Sequence, residues 1–134
     1  METNFFGLIQ TTTALLPLLR RSTNGVILNV STDMASNAIQ AGPNPRLHVV
    51  AYNTSKAAAN SYTIALAQEL REEGIKVNAI TPGLTASKLN NYLSGGNTTR
   101  GSAELLLSWA LLEKDGPTCM LNLLDLLIFG LTNR

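Results

Sequence analysis

The chain is poor in the residues on which several familiar kinds of site depend. It has one cysteine and one histidine among 134 residues, Cys119 and His48. A single cysteine excludes an internal disulfide and fits a reducing compartment, so we expect the protein in the cytoplasm. Clusters of cysteine and histidine with metal-ligand spacing are missing, so the sequence predicts no metal site. A Gly-x-Ser-x-Gly nucleophile elbow is missing too, which argues against a Ser-His-Asp hydrolase.

Charged residues are also scarce. They make up 14% of the chain and nearly balance, to a formal net charge of +1. That balance gives no electrostatic reason to expect a nucleic-acid partner. The apolar stretch 120–131 contains Asn122 and Asp125 and is too short to span a bilayer, so we expect no membrane partner. Few charges indicate instead that much of the surface is covered by other protein.

Hydrophobic spacing divides the chain into alternating helices and strands. The patterns predict helices at 4–20, 50–73 and 103–112, strands at 25–31 and 75–80, and a long polar loop at 32–48. Pro17 should kink the first helix or mark its end. The run at 25–31 is apolar and β-branched, which favours a strand buried on both faces of a parallel sheet. The alternation predicts the α/β class, with fewer strands than a stable open sheet usually has.

Tyr52 and Lys56 lie four residues apart at the start of the long central helix. One helical turn places the phenol and the ammonium on the same face. A neighbouring cation stabilises phenolate, so such a tyrosine becomes a better acid and can exchange a proton with a carbonyl or alcohol oxygen. Chance produces this spacing in roughly one chain in five. The pair therefore gains meaning only from what surrounds it.

Four motifs in order resemble the classical short-chain dehydrogenase/reductase family. They are Asn-Phe-Phe-Gly at 4–7, Leu-Asn-Val-Ser-Thr at 28–32, Tyr52-x-x-x-Lys56, and Val-Asn-Ala-Ile-Thr-Pro-Gly at 77–83. Each motif alone is weak, whereas all four at family-like separations are specific. The resemblance runs from residue 4 to about residue 117. It implies a partial Rossmann-like, doubly wound parallel sheet that lacks the N-terminal βαβ units.

The resemblance implies hydride transfer between NAD or NADP and a small carbonyl or alcohol substrate. Tyr52 would be the general acid and base. Lys56 would lower the pKa of that tyrosine and bind the ribose hydroxyls of the cofactor, and Asn4 would hold a water near Lys56. NADP is slightly favoured by family precedent, although the residues that select between NAD and NADP are absent from the chain.

More than one residue could supply the hydroxyl that binds the substrate oxygen. The family position falls on Thr32, with Ser31 directly before it and Ser36 a distant third. Threonine has the same donor and acceptor as serine, but its methyl group crowds the site. Alternatively, these hydroxyls only cap the strand end and satisfy loop backbone groups.

After the second strand, the resemblance assigns Pro82 and Gly83 to the backbone beside the nicotinamide. Thr85 would contact the nicotinamide carboxamide or the phosphates. With nearly equal weight, Thr85 is instead the N-cap of a following helix. The segment 86–99 would be a mobile substrate lid with glycine hinges.

Neither Gly-x-Gly-x-x-Gly nor Thr-Gly-x-x-x-Gly-x-Gly, the glycine-rich sequences that bind a pyrophosphate, occurs in the chain. We therefore expect 1–118 to be the C-terminal part of a Rossmann domain and 119–134 an atypical apolar tail. Such a truncated oxidoreductase would be deficient in cofactor binding and inactive alone. In the family, the helices at 4–20 and 50–73 commonly form the subunit interface, which predicts a homo-oligomer. The alternative function is a non-catalytic interaction module that uses those helices to associate with a full-length relative.

Overall fold

The computed structural model describes residues 1–113 and 115–118, so the predicted tail at 119–134 lies outside the described residues. A π-helical turn leads into the first helix, and short 3₁₀ turns occur at Asp33–Ala35 and Lys88–Asn90. The main elements are α1 (Gly7–Leu19), β1 (Val26–Val30), α2 (Asn37–Ala41), α3 (Val50–Glu69), β2 (Lys76–Ile80) and α4 (Thr99–Ala110). The predicted alternation of helix and strand is confirmed, and the chain is an α/β protein.

The two strands form one parallel sheet. Its ladder begins at Gly25 O, which accepts from Lys76 N–H at 2.9 Å, and ends at Ser31 N–H, which donates to Ile80 O at 2.7 Å. Alternation along β1 turns the backbone groups of residues 26, 28 and 30 toward the other edge of the strand. Within 1–113 and 115–118, no strand pairs with that edge.

The prediction that β1 is buried on both faces is wrong for one face. Ile27 and Asn29 are buried against α3, whereas Val30 on the other face is 48% exposed. That face is approached by α4, which covers it only in part. By contrast, all five residues of β2 are buried. The outer edge of β2 is occupied as well, because Val77 N–H donates to Thr118 Oγ1 at 3.0 Å.

The hydrophobic core lies between the sheet and α3. It consists of six buried residues, with Leu16, Leu19 and Tyr62 packed against them: Ile27, Leu66, Ala67, Leu70, Ile75 and Val77. An ion pair of 2.7 Å between Arg20 and Glu73 joins the end of α1 to the turn that follows α3 on the surface. Exposed ion pairs contribute little stability, so the apolar cluster holds these helices on the sheet.

Three boundaries differ from the sequence prediction. The loop at 32–48 contains the short helix α2, because the Ser36 hydroxyl accepts from Ile39 N–H at 3.3 Å and caps it. Helix α3 ends at Glu69, and the chain turns until Gly74, whose φ of 69° suits glycine. Helix α4 begins at Thr99, before the predicted 103, because the Thr98 hydroxyl caps Gly101 N–H at 3.0 Å. Among the described helices, none has the length and apolar character of a bilayer-crossing segment.

Candidate active site

One face of α3 carries polar side chains that meet the carboxyl end of β1. Tyr52, Lys56 and Asn60 follow one another at intervals of four residues, so they lie along one face of the helix. Lys56 Nζ donates to Val30 O at 2.9 Å, and the Ser31 hydroxyl donates to Asn60 Oδ1 at 2.5 Å. The helix face with the predicted Tyr-Lys pair is therefore the face that holds the strand end with the Ser-Thr motif.

A buried polar contact fixes β1 against this helix. Asn29 Nδ2 donates to Thr63 Oγ1 at 2.8 Å, and the Thr63 hydroxyl donates to Ala59 O at 2.8 Å. Both side chains are nearly inaccessible to solvent, so loss of either partner would leave a buried polar group unsatisfied. This contact sets the position of the strand end along α3.

Asn4 enters the same region from the turn that precedes α1. Its Nδ2 donates to Ser55 Oγ at 3.1 Å, and the buried Ser55 hydroxyl donates to Tyr52 O at 2.8 Å. Asn4 and Lys56 also line one cavity of about 340 Å³, together with Asn29. The structure thus brings the predicted Asn4 next to the turn of α3 that carries the pair. Its role in holding a water stays a prediction.

The two hydroxyls at the end of β1 are held differently. Ser31 is bound tightly to Asn60, whereas both bonds of Thr32 Oγ1 are 3.3 Å long, one accepted from Met34 N–H and one donated to Asp33 Oδ1. Long hydrogen bonds are weak, so Thr32 is more easily released to a substrate oxygen. Ser36 has a structural task as the cap of α2.

The segment after β2 lies beside the end of β1, because the carboxyl ends of parallel strands meet at one edge of a sheet. Gly83 there has a φ of 73°, which glycine adopts without strain. The N-cap alternative for Thr85 is wrong. The short helix Lys88–Asn90 is preceded by Ser87 instead, and Thr85 Oγ1 lies 2.7 Å from Ser102 Oγ.

The predicted lid is a loop whose ends lie together. Asn97 N–H donates to Leu84 O at 2.7 Å, and Ala86 N–H donates to Asn97 O at 2.9 Å. Large apolar side chains at its tip face solvent, with Leu89 98% and Tyr92 67% exposed. Such a loop presents an apolar surface at the side of the sheet where the candidate residues gather; its mobility stays a prediction.

Sequence reasoning missed three side chains of this region: Ser55, Asn60 and Ser102. Asn60 continues the spacing of Tyr52 and Lys56 by one more interval of four, so periodicity along α3 was a usable signal. Ser102 is separated from Thr85 by 17 residues, and nothing local in the sequence indicates that contact.

Partial burial lowers the pKa of Lys56 below its ordinary value of 10.5. The unfolded chain therefore binds a proton there at a pH where the folded chain has already lost it. Stability consequently rises with pH as the folded and then the unfolded lysine titrate. We predict that the wild type gains free energy of unfolding relative to Lys56→Met as the pH rises through the alkaline range toward the ordinary lysine pKa of 10.5.

Urea unfolding of both proteins across that range, followed by circular dichroism, measures the difference. A constant difference would show that burial leaves the Lys56 ammonium unperturbed.

The fold and the site together define a class of protein. It is an α/β protein with lysine, asparagine and hydroxyl side chains at the carboxyl edge of a parallel sheet, where open sheets of this class bind their ligands. The family model for short chain dehydrogenases matches residues 1–97. The chain belongs to the short-chain dehydrogenase family.

Individual relatives agree with that family. Human 17-beta-hydroxysteroid dehydrogenase type 2 is 39% identical over 83 residues, which cover 62% of this chain and 19% of that protein. The structure of salutaridine reductase from Papaver somniferum is similar with a TM-score of 0.73 at 27% identity, over 87% of this chain and 51% of that one.

A third relative was solved with a dinucleotide. The Pseudomonas aeruginosa RhlG/NADP active-site complex is similar with a TM-score of 0.71 at 26% identity, over 87% of this chain and 51% of that one. The chain thus spans about half the length of these two structural relatives and about a fifth of the human steroid dehydrogenase.

Proposed function

We propose that the chain carries the proton-transfer part of an NAD(P)-dependent oxidoreductase that interconverts a small carbonyl and its alcohol. One observation supports this most directly. The face of α3 with Tyr52 and Lys56 is bonded to the end of β1 at Val30 and Ser31, where a hydroxyl for the substrate oxygen is available. The comparisons do not favour the alternative of a non-catalytic interaction module.

In the proposed reaction the bound cofactor supplies the hydride, and the chain handles the proton. The Tyr52 hydroxyl gives its proton to the carbonyl oxygen during reduction and takes it back during oxidation. The Thr32 hydroxyl donates a hydrogen bond to the same oxygen, which stabilises the charge that develops there. Asn4, beside Lys56 in the cavity, holds the water through which the proton is replaced.

The residues present fit one part of a dinucleotide. A lysine ammonium has three N–H donors, and Lys56 uses one of them on Val30 O. The others lie next to the cavity and suit two ribose hydroxyls. For the pyrophosphate, by contrast, the sequence has no glycine-rich turn. We therefore propose that the nicotinamide half of the cofactor is held by this chain and the phosphates are not, with NADP ahead of NAD.

The corresponding prediction concerns affinity. Without a phosphate-binding turn, the purified chain should bind NADPH with a Kd no tighter than about 1 mM. Titration followed by nicotinamide fluorescence measures this, and Lys56→Met serves as the control because it should weaken even this binding. Saturation at micromolar NADPH would contradict the proposed cofactor deficiency.

We also propose that the chain forms a homo-oligomer through α1 and α3. Apolar side chains on these helices are open to solvent, among them Leu15 at 49%, Leu18 at 61% and Ile64 at 37% exposure. Burial of such side chains in an interface is favourable. The single cysteine supports a cytoplasmic location in the same proposal.

A further inference from the structure

Ser102 in the first turns of α4 is a buried hydroxyl that none of the four motifs includes. It is 5% exposed. Its Oγ lies 2.7 Å from Thr85 Oγ1 and 3.4 Å from Pro82 O. One side chain thus contacts two of the three residues that would lie beside the nicotinamide.

The same segment is held from its other side by Asn97. The Nδ2 of Asn97 donates to Pro82 O at 3.3 Å, and its backbone pairs with Leu84 and Ala86. Pro82 O therefore accepts from two donors, one at the end of the loop and one in the first turn of α4. Residues 82–86 are fixed between the loop end and α4 rather than left as a free connection.

The hydroxyl protons can be assigned along one chain of bonds. If Thr85 donates to Ser102 Oγ, then Ser102 donates to Pro82 O, and each hydroxyl uses its single proton once. Thr85 Oγ1 then keeps its lone pairs for a donor such as a carboxamide NH₂. Removing the Ser102 hydroxyl would release Thr85 to rotate toward Gly83 O, which lies 3.3 Å away.

We propose that Ser102 is a positioning residue for the nicotinamide end of the cofactor site and acts through Thr85 and Pro82. This inference rests on the proposed function. A probe of the nicotinamide end should therefore respond to Ser102, whereas a probe of the ribose contact at Lys56 should not.

The experiment compares reduced nicotinamide mononucleotide with ribose 5-phosphate, using saturation-transfer NMR on the purified chain. Three variants are compared with the wild type. Ser102→Ala removes the hydroxyl, Ser102→Thr keeps it, and Ser108→Ala is the matched control. Ser108 is on the same helix, but its hydroxyl only donates to Leu105 O at 2.7 Å. Ser102→Ala should lower the affinity for the mononucleotide about 2- to 10-fold, which is the effect of one hydrogen bond, and leave the affinity for ribose 5-phosphate unchanged. Ser102→Thr and Ser108→Ala should bind both probes like the wild type.

If Ser102→Ala lowers the affinity for both probes equally, the role of Ser102 is merely structural and the inference is overturned. Unchanged binding of both probes would overturn it too, while the proposed function would stand. If the wild-type chain binds neither probe at a concentration of about 10 mM, both the proposed cofactor site and the role of Ser102 in it are overturned. Amide hydrogen exchange at Ala86 and Asn97 tests the anchor separately, because faster exchange in Ser102→Ala is expected there, and unchanged exchange would contradict it.

Discussion

Replacing Tyr52 with phenylalanine should lower the residual carbonyl reduction that millimolar NADPH supports by about 10²- to 10⁴-fold, the usual contribution of a positioned general acid. The substitution removes only the hydroxyl that would protonate the substrate oxygen. Among the described residues no side chain hydrogen-bonds this hydroxyl, so the fold should not depend on it. Because cofactor binding is expected to be weak, the assay needs millimolar NADPH and a panel of small aldehydes and ketones, with the alcohol product quantified by chromatography.

The matched control is Tyr62→Phe. The Tyr62 hydroxyl interacts with Thr12 of α1, and the ring packs against the hydrophobic core rather than at the strand end. This variant should keep the wild-type turnover. Equal rates above the enzyme-free background in the wild type and Tyr52→Phe would refute Tyr52 as the proton donor, whereas a wild type that shows no turnover at all would return weight to the interaction-module alternative.

Replacing Leu70 with alanine should cause the largest loss of stability, about 2–5 kcal/mol. Leu70 is 0% exposed and belongs to the small core between α3 and the sheet. Few other apolar side chains are fully buried, so little packing is available to close the cavity. A typical domain is stable by about 5–15 kcal/mol in total, so the variant should be partly unfolded at room temperature if the wild type lies at the low end of that range.

Urea unfolding followed by circular dichroism measures this loss, with Leu105→Ala as the control. Leu105 is on α4 and 42% exposed, and alanine is a good helix former, so this change should cost less than about 1 kcal/mol. Similar urea midpoints of unfolding for Leu70→Ala and Leu105→Ala would contradict the location of the core.

The parts of the site that the sequence predicted are those fixed by local periodicity. Tyr52 and Lys56 share a helix, and their spacing alone determines that they lie on one face. The strand predicted at 75–80 is likewise confirmed, at Lys76–Ile80. The motif at 77–83 marks the turn at Gly83 because a glycine after proline tolerates the positive φ found there.

The rest depends on contacts between residues far apart in the sequence. The bond between Ser31 and Asn60 spans 29 residues, and the one between Thr85 and Ser102 spans 17. Whether one face of β1 is covered depends on which elements pack there, and the strand's own residues do not carry that information. Helix α2 was missed and the start of α4 was misplaced for a smaller reason, since single caps such as Ser36 and Thr98 outweigh the composition of the helix that follows.

The open side of β1 has a practical consequence. Natural sheets shield such sides with lysine, proline or a covering segment, but Val-Ile-Leu-Asn-Val carries neither charge nor proline, and no described strand lies against it. Lys56 occupies Val30 O at one end of this edge, but the backbone amides and carbonyls of Val26 and Leu28 have no partner strand among the described residues and form a template to which further molecules can add. Concentrated stocks are therefore expected to gel or form fibrils, and a solubilising fusion or dilute handling is the sensible starting point for work on this protein.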